Sequence, residues 1–170
     1  MSTLRFNTWQ NTGGTEVANS TLGTGKILQV VQAVKTGARF TTTSTSLVDV
    51  PDVSVSITPS STTSKVLVQV SGIGGNSTTT AHTLLQLVRD ATLIGQGTGG
   101  SANYTSDIVT SDTVAGTGFS ITYLDSPSTT SATTYKLQTA CSAGTAVIGG
   151  YAAGTYYSLI TTITAMEVAA

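Results

Sequence analysis

From Lys26 onward, apolar and polar residues alternate with a period of two, and this period limits what the chain can fold into more than any other feature. Val53, Val55 and Ile57 alternate with Ser54, Ser56 and Thr58, so a strand there has one buried face and one wet face. Pro51 and Pro59 bracket that strand, at ends where a missing backbone donor is tolerated. Val66, Val68 and Val70 alternate with Leu67 and Gln69 in the next strand, and the SSTTS linker between the two reads as a turn. The run 27–34, apolar except for Gln29 and Gln32, is long enough for a buried strand. Segments 84–88 and 92–95 flank Arg89-Asp90-Ala91 as a hairpin, and 104–110 is a weaker strand candidate. Segments 119–124 and 134–139 flank Asp125-Ser126-Pro127-Ser128 as a second hairpin with a longer loop. A short strand is expected at 146–148. A long final strand is expected at 155–166, with Tyr157, Leu159 and Ile163 on one face and Ile160, Thr162 and Thr164 on the other.

Side-chain content agrees with this period. Of 170 residues, 35 are Thr and 20 are Ser, and only 15 carry charge. The branched Cβ of Thr stiffens χ1 in extended backbone and suits a pleated, half-buried surface. About eight to ten short strands and no helix place the chain in the all-β class, as a β-sandwich of jelly-roll type. A Thr-rich solenoid would need a fixed repeat period, and none is present. Disorder would require few β-branched residues and high net charge, whereas this chain has many of the former and a net charge of -1.

Residues 1–25 stand apart, with no sustained period. They hold the only Trp, and then Gly13, Gly14, Gly23 and Gly25. The segment reads as an extended N-terminal arm ahead of a sandwich domain at 26–170, able to reach about 80 Å, the alternative being that it folds back as a first strand on its own domain. Phe6, Trp9 and Leu22 are its candidate docking residues, since large apolar side chains are enriched where surfaces meet.

Composition excludes several function classes. The seven basic residues form no run, which argues against nucleic-acid binding. No stretch reaches the roughly 18 apolar residues of a membrane helix. The start MSTLRFNTWQ lacks the apolar region of a secretory signal. Cys141 is the lone cysteine, so no intrachain disulfide is expected. The Asn-x-Ser/Thr triplets at Asn19, Asn76 and Asn103 are expected by chance in so Thr-rich a chain. So little surface charge offers little repulsion against self-association, so a defined oligomer is the natural state.

Candidate chemistry is sparse. His82 follows a polar NSTTTA stretch with no nucleophile elbow nearby, and reads as an exposed or locally hydrogen-bonded loop histidine. Cys141 has no cationic partner close in sequence and reads as a small buried side chain. Asp49 with Asp52, or Asp107 with Asp112, could offer oxygens to calcium, but neither pair has the spacing of a calcium loop. The clusters Gly72-Ile73-Gly74-Gly75 and Gly97-Thr98-Gly99-Gly100 lack the Lys-Ser/Thr of a phosphate loop and read as turns at the sandwich ends. Tyr151, Tyr156 and Tyr157 are candidate receptor or interface aromatics. No catalytic residue, metal site or cofactor is expected.

Two segments are more specific than composition, KILQVVQAVKTGARFTTTSTSLVDVPDVSVSITPSSTTSKVLVQVSG at 26–72 and FSITYLDSPSTTSATTYKLQ at 119–138; the hairpin LLQLVRDATLIGQG joins them and the terminal SLITTITAMEVAA accompanies them. Together they resemble a family of small virion structural proteins of tailed bacteriophages, including phages of cyanobacteria. The LDSPSTTSATTYK stretch is the most distinctive part, and the resemblance spans nearly all of 26–170. It implies a jelly-roll or sandwich domain, usually trimeric, used either as a capsid cement protein or as the distal part of a tail fibre, without catalytic residues. Relatives in fibres carry a long shaft or adaptor ahead of the module. The short arm here favours a homotrimeric cement protein bound to the major capsid protein on the outer capsid surface of the virion, made in the host cytoplasm. The alternative is a receptor-binding distal domain of a tail fibre.

Overall fold

The computed structural model describes residues 25–100, 102–152 and 157–170, and these form eleven strands and no helix. Phe6, Trp9 and Leu22, and the arm they belong to, lie outside the described residues apart from Gly25. All strand neighbours are antiparallel. The expected all-β sandwich is the fold.

The first sheet is built around β4 (Lys65–Asn76). One edge of β4 takes β8 (Thr117–Asp125). Its other edge takes two strands in succession: β11 (Thr161–Val168) along its first part, then β10 (Ala146–Ile148) beside residues 74–76. In turn β1 (Ile27–Lys35) pairs with β11, and β2 (Phe40–Thr42) pairs with β10. The second sheet has β9 (Thr133–Cys141) between β3 (Val48–Ile57) and β5 (His82–Arg89). The far edge of β5 is shared by β6 (Thr92–Ile94) and β7 (Ser106–Val109).

The alternation sorts side chains as a sandwich requires. Val66, Val68, Val70, Phe119, Ile121 and Ile163 point inward from the first sheet. They meet Val53, Val55, Ile57, Leu85, Leu87 and Leu137 from the second. The two buried carboxylates, Asp125 and Glu167, arrive with partners. Asp125, at the end of β8, receives Arg89 Nη1 from β5 at 2.9 and 2.8 Å and the Tyr135 hydroxyl from β9 at 2.7 Å. Glu167, fully buried on β11, accepts from Gln29 Nε2 at 2.6 Å, Ser60 Oγ at 2.6 Å and the Ser60 amide at 2.7 Å.

Several expectations need correction. The segments flanking Asp125-Ser126-Pro127-Ser128 are not a hairpin: β8 lies in the first sheet and β9 in the second, so 126–132 crosses between sheets. Local alternation is the same whether a strand pairs with its sequence neighbour or crosses over. Strand β1 is not buried; it is a sheet edge, with Val30 57% exposed. Pro51 lies inside β3, not at its end. It sits where the register against β9 shifts between Asp49 and Ser54 and Asp52 takes a positive φ of 63°, a bulge on an edge strand that tolerates proline. The final strand begins at Thr161, because 157–160 leave the sheet. Gly72, Gly74 and Gly75 are not turn residues but lie within β4, where a Cβ on Gly75 would stand 2.6 Å from the Ala115 carbonyl oxygen. Gly97, Gly99 and Gly100 do lie in a loop.

Candidate functional site

Three surfaces stand out, and the sequence drew attention to only one of them. The first is the outer face of the β1–β11–β4–β8 sheet. Val30, Met166, Leu67 and Leu124 face one another in register across all four strands. Two residues along, the row reads Gln32, Thr164, Gln69 and Thr122, and the next reads Val34, Thr162, Ser71 and Ser120. None of the twelve side chains in these rows carries charge. Their hydroxyls and amides pair sideways, Gln32 Nε2 donating to Thr164 Oγ1 at 2.9 Å and Ser71 sharing a bond with Thr162 at 2.9 Å. By contrast, the outer face of the second sheet carries an ion pair, Lys136 Nζ to Asp49 Oδ2 at 2.9 Å. The hydrogen bonds from Lys136 and then Gln138 hold the Asp49 carboxyl below its ordinary value.

The second surface is the tip formed where the chain leaves the sheet between β10 and β11. Tyr151 and Tyr157 meet edge to face there, with ring centroids 5.4 Å apart. Tyr157 is 58% exposed and Ile160 62%. The Arg39 guanidinium donates to the carbonyls of Tyr151 and Ala152, fixing the start of the excursion. The structure thus brings Tyr151 and Tyr157 together; Tyr156 lies outside the described residues.

The third is a groove of about 510 Å³ on the second sheet, lined by His82, Leu84, Ala102, Tyr104, Ser106, Asp107 and Ser142. Its floor is the start of β5 beside β7. His82 is the first residue of β5, not a loop residue, and its Nδ1 lies 2.5 Å from Asp107 Oδ2 on β7. Ser142 is pinned beside it: its Oγ accepts from the His82 amide at 2.9 Å and its own amide donates to the His82 carbonyl at 3.0 Å. Sequence reading named His82 and Asp107 separately and missed Tyr104, Leu84 and Ser142 as its companions. The pairing rests on the β5–β7 register across the connection 90–105, which no local pattern announces.

The remaining candidates are placed without forming a site. Cys141 is buried, with its Sγ 3.5 Å from the Ser44 carbonyl. Asp52 lies 3.9 Å from Lys35 Nζ, and Asp112 accepts from the Val114 amide at 3.0 Å. Neither aspartate pair is joined, and among the described residues no group of three or more His, Cys, Asp or Glu could hold a metal ion. Asn76 is fully buried and Asn103 braces a loop by bonding Gly100; Asn19 lies outside the described residues. Among the described residues no helix is long and apolar enough to cross a membrane. No family model matches the chain, and no curated protein matches it.

Proposed function

We propose that this chain is a non-enzymatic virion structural protein, a cement protein that binds the outer capsid surface as a homotrimer and stabilises contacts between major capsid protein subunits. The observation that carries this reading is the block of three uncharged rows on the outer face of the β1–β11–β4–β8 sheet, with Lys65 at its margin. A surface bound for burial against protein avoids charge, because each buried unpaired charge costs several kcal/mol, and interface cores are depleted of it. Partly exposed Val30, Leu67, Met166 and Leu124 supply the apolar band, and Thr, Ser and Gln the rest. Binding only the assembled shell stabilises that shell by mass action.

The strand order supports the jelly-roll form of the sandwich. If β1 with β2, β6 with β7 and β10 with β11 each count as one position, the chain has eight. The sheets then read first-eighth-third-sixth and second-seventh-fourth-fifth, the interleaving of two Greek keys. The LDSPSTTSATTYK stretch, on which the phage resemblance chiefly rests, contributes Asp125 and Tyr135 to the buried link between sheets.

The arm, through Phe6, Trp9 and Leu22, carries part of the capsid contact in this account. Deleting residues 1–25 is expected to leave a folded trimer that no longer decorates capsids. Unchanged occupancy by the truncated protein would remove the arm from the account. A second reading, the receptor-binding tip of a tail fibre, is favoured by the exposed Tyr151–Tyr157 pair, and it predicts binding to host cells that a cement protein need not show.

A further inference from the structure

We infer that the groove over β5 and β7 is a binding site for a neutral saccharide, with one sugar ring against Tyr104 and Leu84 and adjacent hydroxyls held by the His82–Asp107 pair. The inference depends neither on the capsid placement nor on the tyrosine tip. It starts from how the groove wall is built. Residues 95–100 and 102–105, between β6 and β7, lie off the sheet and are braced against one another. Gln96 Nε2 donates to the Asn103 carbonyl at 2.7 Å and the Gly97 amide to the Tyr104 carbonyl at 3.2 Å. Thr105 anchors its base: Oγ1 donates to the Ile94 carbonyl at 3.1 Å and accepts from the Leu87 amide at 2.9 Å. Tyr104 is therefore presented from an internally bonded wall, and little ordering remains for a ligand to impose.

The lining chemistry selects the ligand. Sugar rings offer an apolar C–H face and a rim of hydroxyls that both donate and accept. Tyr104, Leu84 and Ala102 supply an aromatic and aliphatic surface for the first. For the second, Asp107 uses Oδ2 toward His82, which leaves Oδ1 with no protein hydrogen bond among the described residues. His82 similarly keeps Nε2, which accepts when Nδ1 carries the proton toward Asp107. With the imidazole 48% and the carboxylate 38% exposed, both groups are reachable. An acceptor pair beside an apolar platform matches two neighbouring hydroxyls.

Other ligand classes fit less well. The groove holds no Lys or Arg, so a phosphate or carboxylate would meet Asp107 with nothing permanently cationic to offset the repulsion. A divalent metal would find two ligands where it needs more. An extended peptide gains its affinity from a free strand edge; β5 on the floor is paired on both sides, and the only free edge beside the groove is that of the four-residue β7. The volume of about 510 Å³ is that of a small-molecule site.

The test is a titration of the isotopically labelled full-length protein, followed by amide and imidazole NMR signals. The neutral probes are maltose, lactose, cellobiose and chitobiose; the anionic probes are sialyllactose and inorganic phosphate. The expected result is that at least one neutral disaccharide moves the signals of Leu84, Tyr104 and His82, with a dissociation constant on the order of 1 mM. Tyr104→Ala should weaken that binding by about tenfold. Asp107→Asn should weaken it as well, in spectra whose dispersion outside the groove is preserved. The inference is overturned if no neutral sugar moves the groove signals, if the shifts fall on Tyr151 and Tyr157 instead, if the anionic probes bind as well as the neutral ones, or if Tyr104→Ala binds as before. None of these readings depends on where the protein sits in a virion.

Discussion

Tyr135 donates its hydroxyl proton to Asp125 at 2.7 Å, and through that bond a residue of the second sheet holds the end of a strand of the first. Arg89 closes the arrangement by reaching both oxygens of the same carboxylate. Burial and the adjacent carboxylate raise the Tyr135 phenol well above its ordinary range, so it remains a donor at neutral pH. The link sits where 126–132 crosses between sheets. It explains why the chain invests an Asp and a Tyr in a stretch otherwise made of Ser, Thr, Pro and one Ala.

Removing the acceptor should therefore cost far more than removing one donor. Asp125→Ala leaves Arg89 without its charge partner and Tyr135 without an acceptor, and is expected to destabilise the domain by about 3–5 kcal/mol. Tyr135→Phe should cost about 1–2 kcal/mol. Denaturant midpoints at unchanged m value check both figures; equal losses would mean that the carboxylate is not the centre of the link.

Glu167 makes stability depend on acid. Burial pushes its carboxyl up, but hydrogen bonds from the Ser60 side chain, Gln29, Ser64 and the Ser60 amide outweigh burial and bring it to about 2, from an ordinary 4.5. Because the folded value is the lower one, the stabilisation is fully present above about 4.5 and is lost as pH falls toward about 2. It amounts to about 3 kcal/mol. Thermal midpoints between pH 7 and pH 2 should fall steeply in the wild type and less steeply in Glu167→Gln, whose midpoint at pH 7 starts lower. Parallel profiles would contradict this assignment.

The glycines of β4 are there for close approach. A methyl group on Gly75 would lie 2.6 Å from the Ala115 carbonyl oxygen, whereas one on Gly118 would meet nothing within 4 Å. Gly75→Ala is expected to destabilise by about 1–3 kcal/mol and Gly118→Ala to be near neutral. Calorimetry of the two variants side by side decides this.

The three uncharged rows should govern the proposed self-association. Val30→Asp combined with Leu124→Asp places charge at both ends of the apolar row and is expected to convert the proposed trimer to folded monomer in sedimentation equilibrium. Ser54→Glu, exposed on the opposite sheet, should leave the assembly intact. Loss of the trimer in the Ser54 variant alone would move the interface to the other sheet.

Strand existence was readable wherever one face is buried and the other wet. Val53, Val55 and Ile57 and Val66, Val68 and Val70 alternate in the sequence and point inward in the structure. The turn at 60–64 and the hairpin at Asp90, whose φ of 53° suits a tight turn, were equally local and equally readable. Pairing was not. The alternation in β8 and β9 is indifferent to whether they share a sheet, and what separates the two arrangements is long-range pairing, of β8 with β4 and of β9 with β3 and β5. The apolar run of β1 looked like core because sequence hydropathy cannot tell a buried strand from an uncharged outer face. The groove escaped notice for a related reason: His82 and Asp107 meet through strand register, not through spacing.

The most direct test of the central claim is electron microscopy of purified virions carrying a gold label on this protein. The account predicts label spread over the head at many symmetry-related points, and label confined to the tail or its fibres would contradict it.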